Sequence, residues 1–185
     1  MSGFLILLII VVVVILAAVG IYNGLIRLRN TSEQAWSDVD VQLKRRYDLV
    51  PNLVETVKGY ASHEKETFEK VVQARNQAMG AATPGDKAQA ENFLQSTLKS
   101  LFALAEAYPE LKANQNFIEL QGELSEIEEH IQLARRYYNA VVRDLNTKIE
   151  SVPSNIVANM FGFEKREYFE LDSTEERKVP EVDFS

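Results

Sequence analysis

The longest apolar feature of the chain is an unbroken run of hydrophobic residues from Phe4 to Val19, and Tyr22 follows shortly afterwards. About 20 apolar residues in a helix are enough to cross the core of a bilayer. No charged side chain occurs in residues 1–22. We therefore predict a transmembrane anchor over residues 1–22, in which Tyr22 takes the position of an interfacial aromatic residue.

The charges that flank this run predict its orientation. Nothing basic precedes the run except the α-amino group, whereas Arg27 and Arg29 follow it closely. Because basic flanks stay in the cytoplasm, the N-terminus is expected outside and the remainder of the chain inside. A cleaved signal peptide, with a small-residue site near Ala18 and Gly20, is the alternative, but it would need a positively charged segment before the run.

Two small residues near the end of the run, Gly20 and Gly24, share one helix face with Ala17. Small residues at this spacing allow two membrane helices to approach closely, which makes Gly20 and Gly24 candidates for self-association. The simpler interpretation is that glycine is common in such helices and that Gly24 lies beyond the lipid.

Beyond the anchor, apolar residues recur at spacings of three or four from Trp36 to Ala78, which is typical of an amphipathic helix. Pro51 falls inside this pattern, yet the apolar frame continues unchanged on both sides. We therefore predict either a kinked, near-continuous helix or two helices that meet at Leu49–Val50, with Asp48 as the cap of the second.

Two further helical patterns follow a predicted loop at Thr83-Pro84-Gly85-Asp86. The first extends to Tyr108, where Pro109 interrupts it. The second is a heptad seam of about five heptads that ends before Pro153. Its members are Phe117, Leu120, Leu124, Ile127, Ile131, Ala134, Tyr138, Val141, Leu145, Ile149 and Val152.

Several long apolar stripes in one short chain predict an all-α fold, because each stripe must be buried against another. We expect a transmembrane helix over residues 1–22, an up-and-down helical bundle over residues 23–152 and an extended tail over residues 153–185. The tail contains aromatic residues and ends near Phe184. Its aromatic residues either pack on the bundle or dock a partner.

Composition and motifs argue against several functions. The net charge of −7 argues against nucleic-acid binding, and the absence of cysteine excludes disulfides. His63 and His130 lack the partner spacings of metal-binding motifs, and no phosphate-binding or nucleophile motif occurs. We predict no catalytic residue, no metal site and no cofactor.

Polar and aromatic clusters are better explained as contact residues. Lys44-Arg45-Arg46 is expected to pair with an acidic helix. Polar residues on or near a seam can specify register and partner. The interaction candidates within the chain are Asn114, Asn116, Gln121, Arg135, Arg136, Tyr168, Phe169 and Phe184.

The chain resembles the LemA family along nearly its whole length. The matching stretches are YNGL (22–25), AWSDVDVQLKRRYDLVPNLV (35–54), VKGY (57–60), EAYPELKANQNF (106–117), ARRYYN (134–139) and the closing Pro180-x-Val182-x-Phe184. The resemblance implies a four-helix up-and-down bundle behind an anchor in the bacterial inner membrane, with no known catalysis and no cofactor. Relatives include a protein implicated in forming magnetosome membranes, and family genes often neighbour a membrane metalloprotease resembling HtpX.

Two functional hypotheses follow, and in both the protein is anchored in the lipid bilayer. The first is a non-enzymatic scaffold that self-associates as a homo-oligomer and organises or remodels the membrane. The second is an adaptor for a membrane protein such as an HtpX-like protease, with the tail as its docking segment. Deletion of residues 164–185 is expected, under the second hypothesis, to abolish partner capture without unfolding the bundle.

Overall fold

A computed structural model describes residues 2–170 of the chain, and this part contains helices and no strand. The predicted all-α fold is therefore confirmed. The six helices are α1 (Ser2–Lys58), α2 (Lys65–Gly80), α3 (Pro84–Glu106), α4 (Pro109–Lys112), α5 (Gln115–Glu150) and α6 (Ser154–Met160).

Helix α1 continues through Pro51, which confirms the continuous alternative. Proline lacks an N–H, so the carbonyl group four residues earlier, on Tyr47, loses its usual donor. Arg75 of α2 replaces that donor, because its Nε donates to the Tyr47 carbonyl oxygen at 2.7 Å. A side chain from a neighbouring helix therefore donates to the carbonyl group that Pro51 cannot reach with an N–H.

The interruption that does occur lies later than expected. The apolar pattern predicted a near-continuous helix through residue 78, but the chain leaves the helix after Lys58 and resumes at Lys65. Gly59 begins this connection, since glycine is a poor helix former. The buried Ala61 maintains the apolar frame while its backbone N–H closes a turn onto Val57.

The predicted loop at residues 83–86 is wrong, because α3 begins at Pro84. Thr83 is the N-cap, and its hydroxyl oxygen accepts a hydrogen bond from the backbone N–H of Asp86 at 3.1 Å. Proline suits the first helical position, where its missing N–H would have no partner. The same residues that suggest a turn thus start a helix.

The described chain divides into two compact units, and the division falls within α1 and within α5. The first unit comprises residues 2–45 and 126–168. The second unit comprises residues 46–125 and 169–170. The domain boundaries predicted at residues 22 and 152 remain predictions.

The first unit has an apolar core in which α6 packs against α1 and α5. Its buried members are Leu25, Leu145, Ile149, Val157, Ala158 and Phe163, with Ile21, Tyr22 and Ile26 packed against them. The heptad seam of α5 is buried as far as Ile149 except at Leu120, Ile127 and Ala134, which are half-buried, but Val152 is 79% exposed. Val152 was predicted as a seam member and is not one, because α5 ends at Glu150.

After α6 the chain forms a strap, residues 161–168, along the first unit. The Asn146 side chain brackets the strap, since it donates to the Arg166 carbonyl oxygen and accepts from the Arg166 N–H, both at 2.9 Å. The Tyr138 hydroxyl donates to the Glu167 carbonyl oxygen at 2.9 Å. The tail predicted as extended therefore begins with a helix, α6, and side chains of α5 hold the strap that follows it.

In the second unit, α2 and α3 pack against each other and bury apolar residues at helical spacing. The buried members include Phe68, Val71, Ala74, Leu94, Leu98 and Leu101, and Val57 near the end of α1 is buried in the same unit. Tyr60, which the apolar pattern placed in the core, is exposed.

Candidate functional site

The first part of α1 presents an apolar surface that nothing in the described chain covers. Every large side chain from Phe4 to Leu16 is between 45% and 75% exposed, and Val19 is exposed as well. This helix is long and apolar enough to cross a membrane. An apolar surface of this extent on a protein marks an interaction with a membrane or with another apolar partner.

Tyr22 lies where this surface ends, and it contacts the segment after α6. Its ring centroid is 4.7 Å from that of Phe161 and 5.8 Å from that of Phe163. The Arg29 guanidinium lies over the Phe163 ring, 5.7 Å from its centroid, in a cation–π contact. The predicted interfacial tyrosine is therefore also a packing residue of the first unit.

The two glycines proposed for self-association differ in their surroundings. A side chain added at Gly20 would meet no atom within 4 Å. A side chain added at Gly24 would collide with the Lys148 amino group of α5. Gly20 is therefore open to another molecule, whereas Gly24 already has an intramolecular neighbour.

The second unit contains a buried polar cluster that joins α1 to α3. Arg46 is 1% exposed and forms an ion pair with Glu91, which is equally buried. The Tyr47 hydroxyl donates to the same carboxylate. Breaking such a pair is costly because the remaining charge stays buried. We interpret this cluster as structural.

Only half of this cluster was predicted. The basic residues 44–46 were expected to pair with an acidic helix, and Arg46 does form an ion pair with Glu91 of α3. Lys44 and Arg45 are exposed. Glu91 was missed. A signal was available, because Glu91 precedes Leu94 and Leu98 in the same buried frame of α3.

Among the polar interaction candidates, Asn114 has an intramolecular role. Its side-chain oxygen accepts from the Phe117 N–H at 3.0 Å at the start of α5, and its amide donates to the Tyr60 hydroxyl at 2.9 Å. This arrangement caps α5 and attaches it to the connection after α1. Asn116 and Gln121 are exposed. The use of these residues by a partner remains a prediction.

The remaining candidates lie on α5 and the strap. Arg135 is partly buried, whereas Arg136 and Tyr168 are exposed. Phe169 is fully buried, so the packing alternative is confirmed for this residue. Phe184 lies outside the described residues. A deletion from residue 164 would remove Arg166, Glu167 and Phe169, and it is therefore not the neutral truncation that the sequence suggested.

The two histidines do not converge with other ligands. His63 is exposed in the connection between α1 and α2, and His130 lies 3.6 Å from the exposed Glu126. Within residues 2–170, no cluster of His, Cys, Asp and Glu has a composition that would hold a metal ion.

Comparison with known proteins identifies the family. The LemA family model matches residues 35–184. The chain belongs to the LemA family. Its relatives include Protein LemA of Metamycoplasma hominis, which is 28% identical over 76% of this chain and 64% of that protein. They also include Magnetosome protein MamQ 2 of Paramagnetospirillum magneticum, 24% identical over 80% of this chain and 64% of that protein.

A third relative is Magnetosome protein MamQ of Magnetospirillum gryphiswaldense, 22% identical over 80% of this chain. The chain thus spans 64% of the length of these relatives. The LemA family is not a known family of enzymes. Family membership and the magnetosome relatives agree with a membrane-associated protein.

Proposed function

We propose that this LemA-family protein is a non-enzymatic scaffold, anchored by α1 in the bacterial inner membrane and self-associating there. The observation that carries the proposal is that the exposed apolar surface and the core residue Leu25 belong to one uninterrupted helix. Because α1 contains no flexible linker, it holds the first unit at a fixed angle to the bilayer. A scaffold needs this geometry, whereas a simple tether does not.

We place the body of the protein in the cytoplasm. Arg27 and Arg29 are exposed directly after the apolar surface, and basic residues at that position favour the cytoplasmic side. A single cysteine at Leu133, which is exposed on α5, tests this orientation, because the natural chain has no cysteine. We expect a membrane-impermeant thiol reagent to label it only in broken cells. Labelling in intact spheroplasts would contradict the orientation.

Self-association is tested on the full chain after crosslinking in cells and purification in mild detergent. We expect a large complex of this chain alone. Replacement of Gly20 by Leu should reduce that complex, because a Cβ at this position meets no neighbouring atom within 4 Å, while the leucine side chain blocks close approach of a second copy. Gly3→Leu is the matched control, since Gly3 is equally open. A strictly monomeric protein at high concentration would overturn the scaffold.

An adaptor function is the second candidate, and a groove in the second unit favours it. The groove has a volume of about 880 Å³, and Val54, Lys58, Phe68 and Val72 contribute to its lining. Val72 is exposed although it is apolar. The groove therefore offers apolar contact surface to a partner.

The adaptor hypothesis predicts a stoichiometric second membrane protein, for example an HtpX-like protease, in the same purification. Val72→Glu should abolish its capture, whereas Ile118→Glu, at a similarly exposed apolar position of the second unit, should not. Removal of residues 171–185 tests the end of the tail and leaves every residue of the strap in the chain. Retained capture in that truncation would contradict a docking role for the end of the tail.

A further inference from the structure

A second exposed apolar surface surrounds α6, away from the part of α1 that is expected to cross the membrane. Ile156 is 60% exposed, Met160 73% and Phe161 57%, and the exposed Val152 precedes them. No charged side chain occurs from residue 151 to residue 163. We call Val152, Ile156, Met160 and Phe161 the foot.

The exposure of the foot does not reflect poor packing of α6. The opposite face of this short helix buries Val157 and Ala158 in the apolar core, together with Leu25 and Ile149. Both faces of α6 are therefore apolar, but residues 2–170 cover only one of them. An apolar face that remains in contact with water is unfavourable, which indicates that something else covers it.

The contacts of Tyr22 place the foot at the end of the anchor. Residues 4–22 extend over about 28 Å as a helix, which is close to the thickness of the hydrocarbon core. Tyr22 therefore lies at the boundary between acyl chains and head groups. Because its ring packs on Phe161 at 4.7 Å, the foot reaches the same level.

We propose that the foot is an interfacial lipid-binding element, in which Ile156, Met160 and Phe161 insert among the head groups and upper acyl chains beside the anchor. This inference rests on the proposed anchoring of α1 in the membrane. The foot adds a second attachment, because the strap and α5 hold α6 against α1.

Charge near the foot is compatible with a lipid surface. The closest carboxylate in sequence, Glu150, is paired with Lys165 at 2.7 Å. Arg29 and Lys148 belong to the same end of the first unit, through their contacts with Phe163 and Gly24. Apolar side chains bordered by cations are typical of elements that lie in the membrane interface. Continuity with the anchor favours lipid over a protein as the partner.

The test uses single cysteines in the full chain, each carrying an environment-sensitive fluorophore, in vesicles of phosphatidylethanolamine and phosphatidylglycerol. Met160→Cys reports on the foot. Leu133→Cys is the matched control, since Leu133 is an exposed apolar residue of the first unit. It lies on α5 roughly 25 Å before the C-terminal end of that helix, and therefore away from the foot. Val12→Cys reports on the anchor. Nitroxide lipids carry the quencher either near the head group or deep in the acyl chains.

We expect the shallow quencher to reduce emission at position 160 several-fold more than at position 133. The deep quencher should act mainly at position 12. If position 12 is quenched but position 160 behaves like position 133, lipid binding by the foot is contradicted, whereas the proposed anchoring by α1 is supported. If position 12 is not quenched, the proposed anchoring itself fails.

A blue-shifted fluorophore at position 160 that neither lipid quencher reaches would also overturn the inference. In that case a second copy or another protein covers the foot. All three positions are exposed, so the substitutions should leave the helical circular dichroism unchanged.

Discussion

The first unit closes around apolar side chains such as Leu25 and Leu145, whereas the second unit contains a buried ion pair between Arg46 and Glu91. Apolar packing tolerates substitution by residues of similar size, but its stability depends on volume. A buried ion pair depends on each partner, because a single remaining charge has no water around it. The two units are therefore expected to respond differently to mutation.

The largest effect should come from breaking the ion pair. Glu91→Ala leaves the Arg46 guanidinium buried beside a cavity and should lower the free energy of unfolding by about 3–5 kcal/mol. Urea unfolding of the full chain in mild detergent, followed by circular dichroism, measures this loss. The double variant Arg46→Met/Glu91→Leu should recover most of the lost free energy of unfolding, since it removes both charges together. A double variant as unstable as Glu91→Ala would contradict this account.

A purely volumetric loss in the first unit sharpens the contrast. Leu145→Ala removes buried methyl groups from the apolar core and should cost about 2–5 kcal/mol. Leu145→Met nearly conserves volume and should cost less than about 1.5 kcal/mol in the same urea experiment. Equal losses for Ala and Met would show that shape, rather than volume, controls this core.

A smaller effect is expected where Arg75 donates to the Tyr47 carbonyl group. Arg75→Leu should cost about 1–3 kcal/mol, because it removes a hydrogen bond from a charged donor to a partly buried carbonyl group. In a Pro51→Ala background the helix recovers its own donor, so the same substitution should cost less. A double-mutant cycle measures this coupling. Identical costs in both backgrounds would show that Arg75 acts independently of Pro51.

The smallest effect concerns Tyr138 at high pH. Burial raises the pKa of the Tyr138 hydroxyl, the positive charge of Arg166 opposes this shift and Glu167 adds to it. The folded state thus holds the proton more tightly than the unfolded state. The resulting stability is fully present below the ordinary pKa of about 10 and is lost as the pH rises through the folded pKa.

Tyr138→Phe should therefore cost about 1 kcal/mol at neutral pH, through loss of the hydrogen bond to the strap. The difference in unfolding free energy between the variant and the natural protein should shrink above about pH 10, because the tyrosine at position 138 ionises there and a phenylalanine does not. Thermal unfolding at several pH values provides the measurement. A difference that does not change with pH would indicate that Tyr138 titrates equally in both states.

The contrast between the units also explains which features the sequence revealed. Period and length of the apolar stripes predicted the long apolar helix at the start of α1 and the buried seam residues Leu145 and Ile149, because apolar burial follows helical spacing. The polar interior of the second unit was harder to predict, since the helical frame that Glu91 shares with Leu94 and Leu98 indicates burial but not the partner of the carboxylate. The pairing with Arg46 depends on where α3 lies against α1, and that is a tertiary property.

Local signals with two meanings account for the other differences. Thr83 and Pro84 are found both in turns and at helix starts, and here the Asp86 N–H selects the helix start. Asn114 was expected to hold helices together within the bundle or to join subunits, and the structure shows that it caps α5, while its use by a partner remains a prediction. The foot was not anticipated, because α6 is too short for its periodicity to be visible.

The unbroken course of α1 has a mechanical consequence. A membrane-spanning helix tilts when its apolar length differs from the thickness of the bilayer. The same helix carries Leu25, Ala35 and Val39 in the interior of the first unit, with no hinge between residues 4 and 45. If α1 spans the membrane as proposed, any tilt of the span is an equal tilt of the first unit. The unit would then act as a lever at the bilayer surface and convert a change in membrane thickness into a lateral displacement that grows with distance along α1 as far as residue 45.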